Sequence, residues 1–327
     1  MKTDIHIGDC RKILKDLPAD AAHTCVTSPP YWGLRDYGNA GQLGLERSPE
    51  EYVENLVAVF REVKRVLRPD GTLWLNLGDT YEANQKGSGG SGGSGGPQYR
   101  NKGSRFPKVK FTLPEGLKTK DLCGIPWRAA FALQADGWWL RSSIIWAKGV
   151  SFCDTYSGSV MPESCRDRPT RAHENIFLLS KAPRYFYDAD AVREKMASAL
   201  HAPGNLKLDA SRNDHDRMDD VWGSPSGRNL RNVWTINTRP LKDAHFATFP
   251  PKLIEPCVIA GCPEGGTCLD PFGGVGTVGL VSSRLQRNAI LIELNPNYAE
   301  DIARKRIIED APMFNTVNII RSEHVGK

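Results

Sequence analysis

No run of eighteen consecutive apolar residues occurs in the 327-residue chain, so no membrane-spanning helix is expected. The first ten residues, MKTDIHIGDC, carry acid and base where a secretion signal needs an apolar core, and secretion is not expected either. Cysteine is sparse and scattered. The eight, at positions 10, 25, 123, 153, 165, 257, 262 and 268, form no C-x-x-C pair and no disulfide framework, which suits a reducing cytoplasm. Cys257, Cys262 and Cys268 read as structural, with no His pair to complete a zinc site, and no metal is called for. Charge of one sign is also scarce: 43 Lys and Arg against 38 Asp and Glu leave +5, too little to name an anionic partner. Hydrophobic content of 40% with 25% charged residues excludes a largely disordered chain.

Glycine is ordinary in amount except in one place. Residues 87–96 read GSGGSGGSGG, a segment with no side chains to pack that behaves as a flexible coil, whether a natural loop tip or an engineered replacement. The stretch 97–120 that follows carries Arg100, Lys102, Arg105, Lys108, Lys110, Lys118 and Lys120 against Glu115 alone. Its local charge of +6 exceeds that of the whole chain. Such a segment suits a polyanion, and it equally suits a solvated loop.

Elsewhere strands alternate with helices. Residues 4–8 and 23–27 read as short strands. Between 49 and 67 the residues Val53, Leu56, Val57, Phe60, Val63 and Leu67 recur at three- and four-residue steps, the mark of an amphipathic helix. The turn Arg68-Pro69-Asp70-Gly71 should end it and lead into strand 72–77. A helix over 126–135 precedes strands 139–146 and 174–179. The C-terminal part reads as helix 251–260, strand 267–269, a glycine-rich turn, a helix, strand 288–292 and a last helix from about 297. This alternation predicts an α/β fold with a mostly parallel sheet. Residues 80–124 and 184–245 resist the pattern and read as insertions on one edge of the core.

The glycine turn carries chemistry. In Asp270-Pro271-Phe272-Gly273-Gly274-Val275-Gly276-Thr277, three glycines let the backbone approach a ligand closely. Glu293 ends the next strand, where a carboxylate can accept from two ribose hydroxyls. The spacing is neither the triphosphate loop nor the full dinucleotide motif. Asp270 would repel a pyrophosphate and welcome a cation with an amino-acid part, which points to S-adenosylmethionine. A second segment, Ser28-Pro29-Pro30-Tyr31, follows strand 23–27. Its prolines remove two N–H donors and leave rigid acceptor carbonyls; with the Ser28 hydroxyl these can grip a flat NH₂ group, and Tyr31 offers a face for stacking. A plain proline-rich loop is the simpler alternative.

Together the two segments resemble the β group of amino-group DNA methyltransferases, in which the catalytic tetrapeptide precedes the cofactor turn, here by some 240 residues. Ile7-Gly8-Asp9-Cys10 and the run from His245 to Pro250, with Lys252, resemble further parts of that family. The resemblance implies a Rossmann-like methyltransferase fold, circularly permuted, with helices on both faces of the sheet and an inserted DNA-recognition region. It divides the chain into a catalytic half (1–79 and 125–183), a basic insertion (80–124), a target-recognition region (184–244) and a cofactor-binding half (245–327). S-adenosylmethionine would be held by Asp9, Thr27, Phe249, Lys252, Asp270, Pro271, Phe272, Gly273, Gly274, Gly276, Thr277, Glu293 and Asn295. Ser28, Pro29, Pro30 and Tyr31 would receive the exocyclic amine of a base flipped out of double-stranded DNA; Tyr31 would stack on it, and Trp32 would either stack as well or pack. Phosphates and base edges would fall to Arg35, Arg100, Lys102, Arg105, Arg228 and Arg231.

Serine at the head of the tetrapeptide usually accompanies N4-cytosine methylation in this family, and Asp or Asn accompanies N6-adenine methylation. The resemblance further implies a bacterial or phage-encoded cytoplasmic enzyme, a monomer or homodimer, with a cognate restriction endonuclease as a conceivable partner. An N6-adenine enzyme, an enzyme acting on RNA or a protein amide, and an inactive DNA-binding remnant stay open.

Overall fold

A computed structural model describes residues 1–34, 37–39, 41–81, 116–160, 162–194, 227–238 and 249–321. Its longest helix shows how directly the sequence is obeyed. In α2 (Pro49–Val66) Ser48 caps the N-terminus by accepting from Glu51 N, Glu50 and Glu51 occupy the first turn, and Lys64 and Arg65 the last, all favourable to the helix dipole. Tyr52, Val53, Leu56, Phe60 and Val63 form its buried stripe. Val57 is only partly buried, and Leu67 has already left the helix to open a strand.

Among the described residues nine strands form one sheet: β1 (Lys2–Ile7), β2 (Ala22–Thr27), β3 (Leu67–Leu77), β4 (Trp139–Ala147), β5 (His173–Ser180), β6 (Val233–Thr235), β7 (Thr267–Asp270), β8 (Asn288–Glu293) and β9 (Thr316–Arg321). Their order is β6-β4-β5-β3-β2-β7-β8-β1-β9, and among these strands only β5 runs against its neighbours. Side chains alternate between the two faces as the pleat requires. Leu73, Leu75, Leu77, Phe177 and Leu179 pack with α1 (Cys10–Asp16), α2 and α3 (Ile125–Ala135). Trp74, Ile176 and Leu178 belong to the opposite core with α4 (Pro251–Gly261) and α5 (Thr277–Arg284).

The expected α/β architecture is therefore present, with four local differences. The Arg68–Gly71 turn lies inside β3: Leu67 pairs with Ala22 and pairing resumes at Thr72, so the turn is an excursion of the strand in which Arg68, Pro69 and Asp70 are exposed. Residues 233–235, expected in an insertion, pair with β4 as an edge strand. Helix α1 and edge strand β9 have too short an apolar pattern to stand out in sequence. The last helix begins as a π-helical segment, Tyr298–Arg304, before α6 (Lys305–Asp310). No helix among the described residues is long and apolar enough to cross a membrane.

Candidate active site

Strands β2 and β7 are neighbours although their end residues Thr27 and Asp270 lie 243 residues apart. The chain leaves β7 for α5 on one face and, after residues 28–48, enters α2 on the other, so a crevice opens at the carboxyl ends between them. Thr27 Oγ1 donates to Asp270 Oδ1 at 2.6 Å, and Phe272 N donates to the same oxygen at 3.0 Å. Among the described residues Oδ2 is thus the oxygen left for a ligand. Asp270 is 1% exposed. Burial pushes its carboxyl up to about 7; Thr27 and Phe272 oppose the rise and the Glu293 carboxylate adds to it.

Glu293 ends β8. Its Oε2 accepts from Gly274 N and its Oε1 from Asn295 N, both at 2.7 Å. Burial raises this carboxyl too, against the backbone donors. The turn between the two acids is held by Gly273 N on Ile292 O and Gly276 N on Gly273 O, each at 2.8 Å. Arg306, unmarked in sequence, braces it from α6 by donating to Val275 O and Thr277 Oγ1. Gly276 caps α5 at φ +76°, and a Cβ there would stand 2.8 Å from Ala303 Cβ. Gly276→Val is therefore expected to destabilise the fold by about 2–4 kcal/mol, left-handed backbone and overpacking adding together, read as a lowered urea midpoint.

Other expected cofactor residues gather at this edge or flank it. Gly8 N donates to Glu293 O, which brings Asp9 beside β8. Asp9 also caps α1 and pairs with Arg11 at 2.7 Å; burial works to raise its carboxyl, but Arg11 holds it below the usual range. Asn295 Oδ1 accepts from Asn297 N. Pro271 is buried and Phe272 packs on the α1–α3 core. Phe249 packs against the opposite core, and Lys252 is exposed on the first turn of α4.

Beside the crevice, the tetrapeptide is tied to a cluster not visible in the sequence. The Tyr31 hydroxyl donates to Glu174 Oε2 at 2.6 Å, and Ser28 Oγ lies 3.4 Å from that hydroxyl. Asn76 Nδ2 reaches Tyr31 OH at 2.9 Å, Glu174 Oε2 at 3.0 Å and Ser28 Oγ at 3.3 Å. Lys148 pairs with Glu174 Oε1. Burial pushes the Tyr31 phenol well up, and Glu174 reinforces this. For Glu174 burial acts upward, yet Lys148 leaves the carboxyl below its ordinary value. Gly78 lies against the Tyr31 ring: a Cβ there would be 2.5 Å from Cε2. Tyr52 OH donates to Pro30 O at 2.8 Å, fixing the second proline. Trp32, weighed as a stacking residue, is buried in the core and donates to Glu46 O, so it packs.

Asn76, Lys148, Glu174 and Arg306 were missed. The available signal was weak: a Lys and a Glu at the ends of two apolar strands. Of the expected DNA contacts, Arg35, Arg100, Lys102 and Arg105 lie outside the described residues. Arg228 and Arg231 sit by β6, each paired with Glu194 at 2.9 Å, with side chains 46% and 67% exposed. The described residues contain no cluster of three or more His, Cys, Asp or Glu suited to a metal.

Two carboxylates thus end the neighbouring strands β7 and β8, and the Ser28–Tyr31 loop leaves the end of the adjoining strand β2. The chain belongs to the DNA methylase family of N6 and N4 methyltransferases, which it matches over residues 22–305. It is 46% identical over 300 residues to the type II methyltransferase M.Cfr9I of Citrobacter freundii, covering 92% of this chain and 86% of that one. It is 44% identical over 304 residues to M.SmaI of Serratia marcescens, covering 93% and 90%. Among solved structures, the putative DNA modification methylase TTHA0409 of Thermus thermophilus, complexed with S-adenosyl-L-methionine, superposes with a TM-score of 0.59 at 22% identity over 98% of both chains. PvuII DNA methyltransferase (cytosine-N4-specific) gives 0.59 at 18% identity over 97% of this chain and 95% of that one. These two likenesses show the fold.

Proposed function

We propose that this enzyme transfers a methyl group from S-adenosylmethionine to the exocyclic N4 amine of a cytosine flipped out of double-stranded DNA. The observation that supports the reading is the Thr27–Asp270 hydrogen bond, which ties the residue before Ser28 to the acid that opens the glycine turn. The crevice suits the cofactor chemically. Asp270 and Glu293 are acceptors only when ionised, matched to an ammonium and to ribose hydroxyls, and Gly274, at φ +51°, keeps the turn free of a side chain. When bound, S-adenosylmethionine supplies a methyl group on a positive sulfonium.

The rest of the chemistry belongs to the chain's own residues. An exocyclic amine is a poor nucleophile because its lone pair is delocalised into the ring. Ser28 Oγ and the Pro29 carbonyl, accepting its two N–H bonds, favour a pyramidal nitrogen with the lone pair aimed across the crevice. Positioning and electrostatics then supply the rate. No covalent enzyme–base adduct is needed; Cys10, Cys25, Cys257, Cys262 and Cys268 are all buried. Serine at the head of the tetrapeptide favours cytosine over adenine, and the fold neighbour PvuII methyltransferase is named as cytosine-N4-specific. Arg228 and Arg231 are proposed as duplex contacts, and a cognate endonuclease is proposed from the type II relatives.

The test is nucleoside mass spectrometry of unmethylated genomic DNA after incubation with the enzyme and isotope-labelled S-adenosylmethionine. Labelled N4-methylcytosine is the expected product. Labelled N6-methyladenine would overturn the choice of base while keeping the cofactor, and DNA without label would overturn the reading.

A further inference from the structure

We infer that Glu174, paired with Lys148, is a positioning residue that acts through Tyr31 to set the direction of the hydrogen bonds at Ser28, so that Oγ meets the target amine as an acceptor. The inference rests on the function proposed above and adds to it a reason for the serine's competence.

A serine hydroxyl can donate or accept, and only the accepting form grips an N–H. Around Ser28 the choice is made by a chain of groups with decreasing freedom. Lys148 has donors only, and it occupies Glu174 Oε1. The ionised Glu174 has acceptors only, so at 2.6 Å the proton between Oε2 and Tyr31 must belong to Tyr31. With its proton spent there, the Tyr31 oxygen can only accept. It faces Asn76 Nδ2 at 2.9 Å and Ser28 Oγ at 3.4 Å, so the Ser28 proton points to Tyr31. The serine lone pairs are then left for Asn76 and for one further donor, the role the substrate amine fills.

The Asn76 amide reports the same polarity. Its Nδ2 faces the acidic side, although this leaves Oδ1 buried with no hydrogen-bond partner among the described residues. A flipped amide would set its oxygen against the Glu174 carboxylate and the Tyr31 oxygen, two acceptors that cannot answer it. Lys148 is the counterweight. The Glu174 side chain is only 11% exposed, and without a cation burial would favour the neutral acid. A protonated Glu174 could donate to Tyr31, and the whole chain of bonds could then reverse. Topology explains why these groups meet. Because β5 runs antiparallel, its first residues lie beside the last residues of β3 and β4, with Asn76 opposite Ile176 and Trp146 opposite Glu174.

The test compares single-turnover methylation of DNA, cofactor affinity and DNA affinity for wild type, Glu174→Gln, Tyr31→Phe and the Tyr31→Phe/Glu174→Gln double variant. Glutamine keeps the shape but can present a donor as readily as an acceptor. Its single-turnover rate is expected to fall about 10–100-fold, as for loss of one oriented group at a reaction centre, with both affinities within about twofold. Because Glu174 acts through Tyr31, the double variant is expected to be no slower than Tyr31→Phe alone, within about twofold. Glu174→Gln/Lys148→Met removes both charges at once and guards against a folding defect from an unpaired, partly buried lysine; it should fold and show the same loss of rate.

An active wild type with a Glu174→Gln rate within about twofold of it would overturn the inference alone, as would additive losses in the double variant. A folded wild type that binds cofactor and DNA yet transfers no label would overturn the functional reading, and this inference with it.

Discussion

Replacing Asp270 by Asn is expected to weaken S-adenosylmethionine binding about 100-fold and, at the same time, to raise the stability of the free protein. The affinity loss follows from exchanging a charge-assisted contact with the ammonium for a neutral one, worth about 1.5–3 kcal/mol. Stability moves the other way because the free protein holds Asp270 against burial and against Glu293, with its carboxyl at about 7 instead of its ordinary 3.8. That shift is equivalent to roughly 4 kcal/mol of destabilisation once the group is forced to ionise, an upper bound on what Asn recovers. Asn keeps an oxygen to accept from Thr27 and Phe272. A thermal melt at pH 8 without ligand should show the variant above wild type, and calorimetric titration should show its binding loss.

The sign with pH is fixed by the direction of the shift. Between 3.8 and about 7 the folded state holds a proton that the unfolded state has released, so stability in the free protein falls as pH rises through this window. Binding of a cation requires the ionised form, so cofactor affinity should rise as pH climbs from 6 to 8 and then level off. In Asp270→Asn both trends should flatten. A variant that binds as wild type does, with the same pH dependence, would remove Asp270 from the cofactor site.

Ser28→Ala is the second large effect. It deletes the hydroxyl that donates to Tyr31 and accepts from Asn76, and the methyl-transfer rate in a single turnover is expected to fall about 10²–10³-fold. The side chain contributes little to the core, being partly exposed, so DNA affinity and melting temperature should stay close to wild type. Unchanged turnover would remove Ser28 from the chemistry; a parallel loss of DNA affinity would mark it as a binding residue only.

Much of this was legible in the chain because local physics wrote it there. The three- and four-residue spacing in 49–66 marks α2, since one helical face must be apolar to be buried. Gly274 and Gly276 announce a turn with left-handed backbone, and both take positive φ. Asp270 and Glu293 stand at strand ends because the strands before them are short, apolar and buried. Such features depend on neighbours a few residues away, and a sequence displays those directly.

The edge strands were harder to read. Residues 233–235 and 316–321 have little burial to impose a pattern, and their pairing with β4 and β1 is decided by what the sheet leaves open. The strand–helix alternation, the acidic glycine turn and the Ser-Pro-Pro-Tyr loop can all be read from the chain alone. That Thr27 closes on Asp270 across 243 residues, and that an antiparallel strand carries Glu174 to Tyr31 across 143, emerges once the sheet is assembled. The physical reason is that each strand spells out its own burial pattern, whereas the choice of neighbour and its direction is a property of the whole sheet, and the candidate site lies where those choices meet.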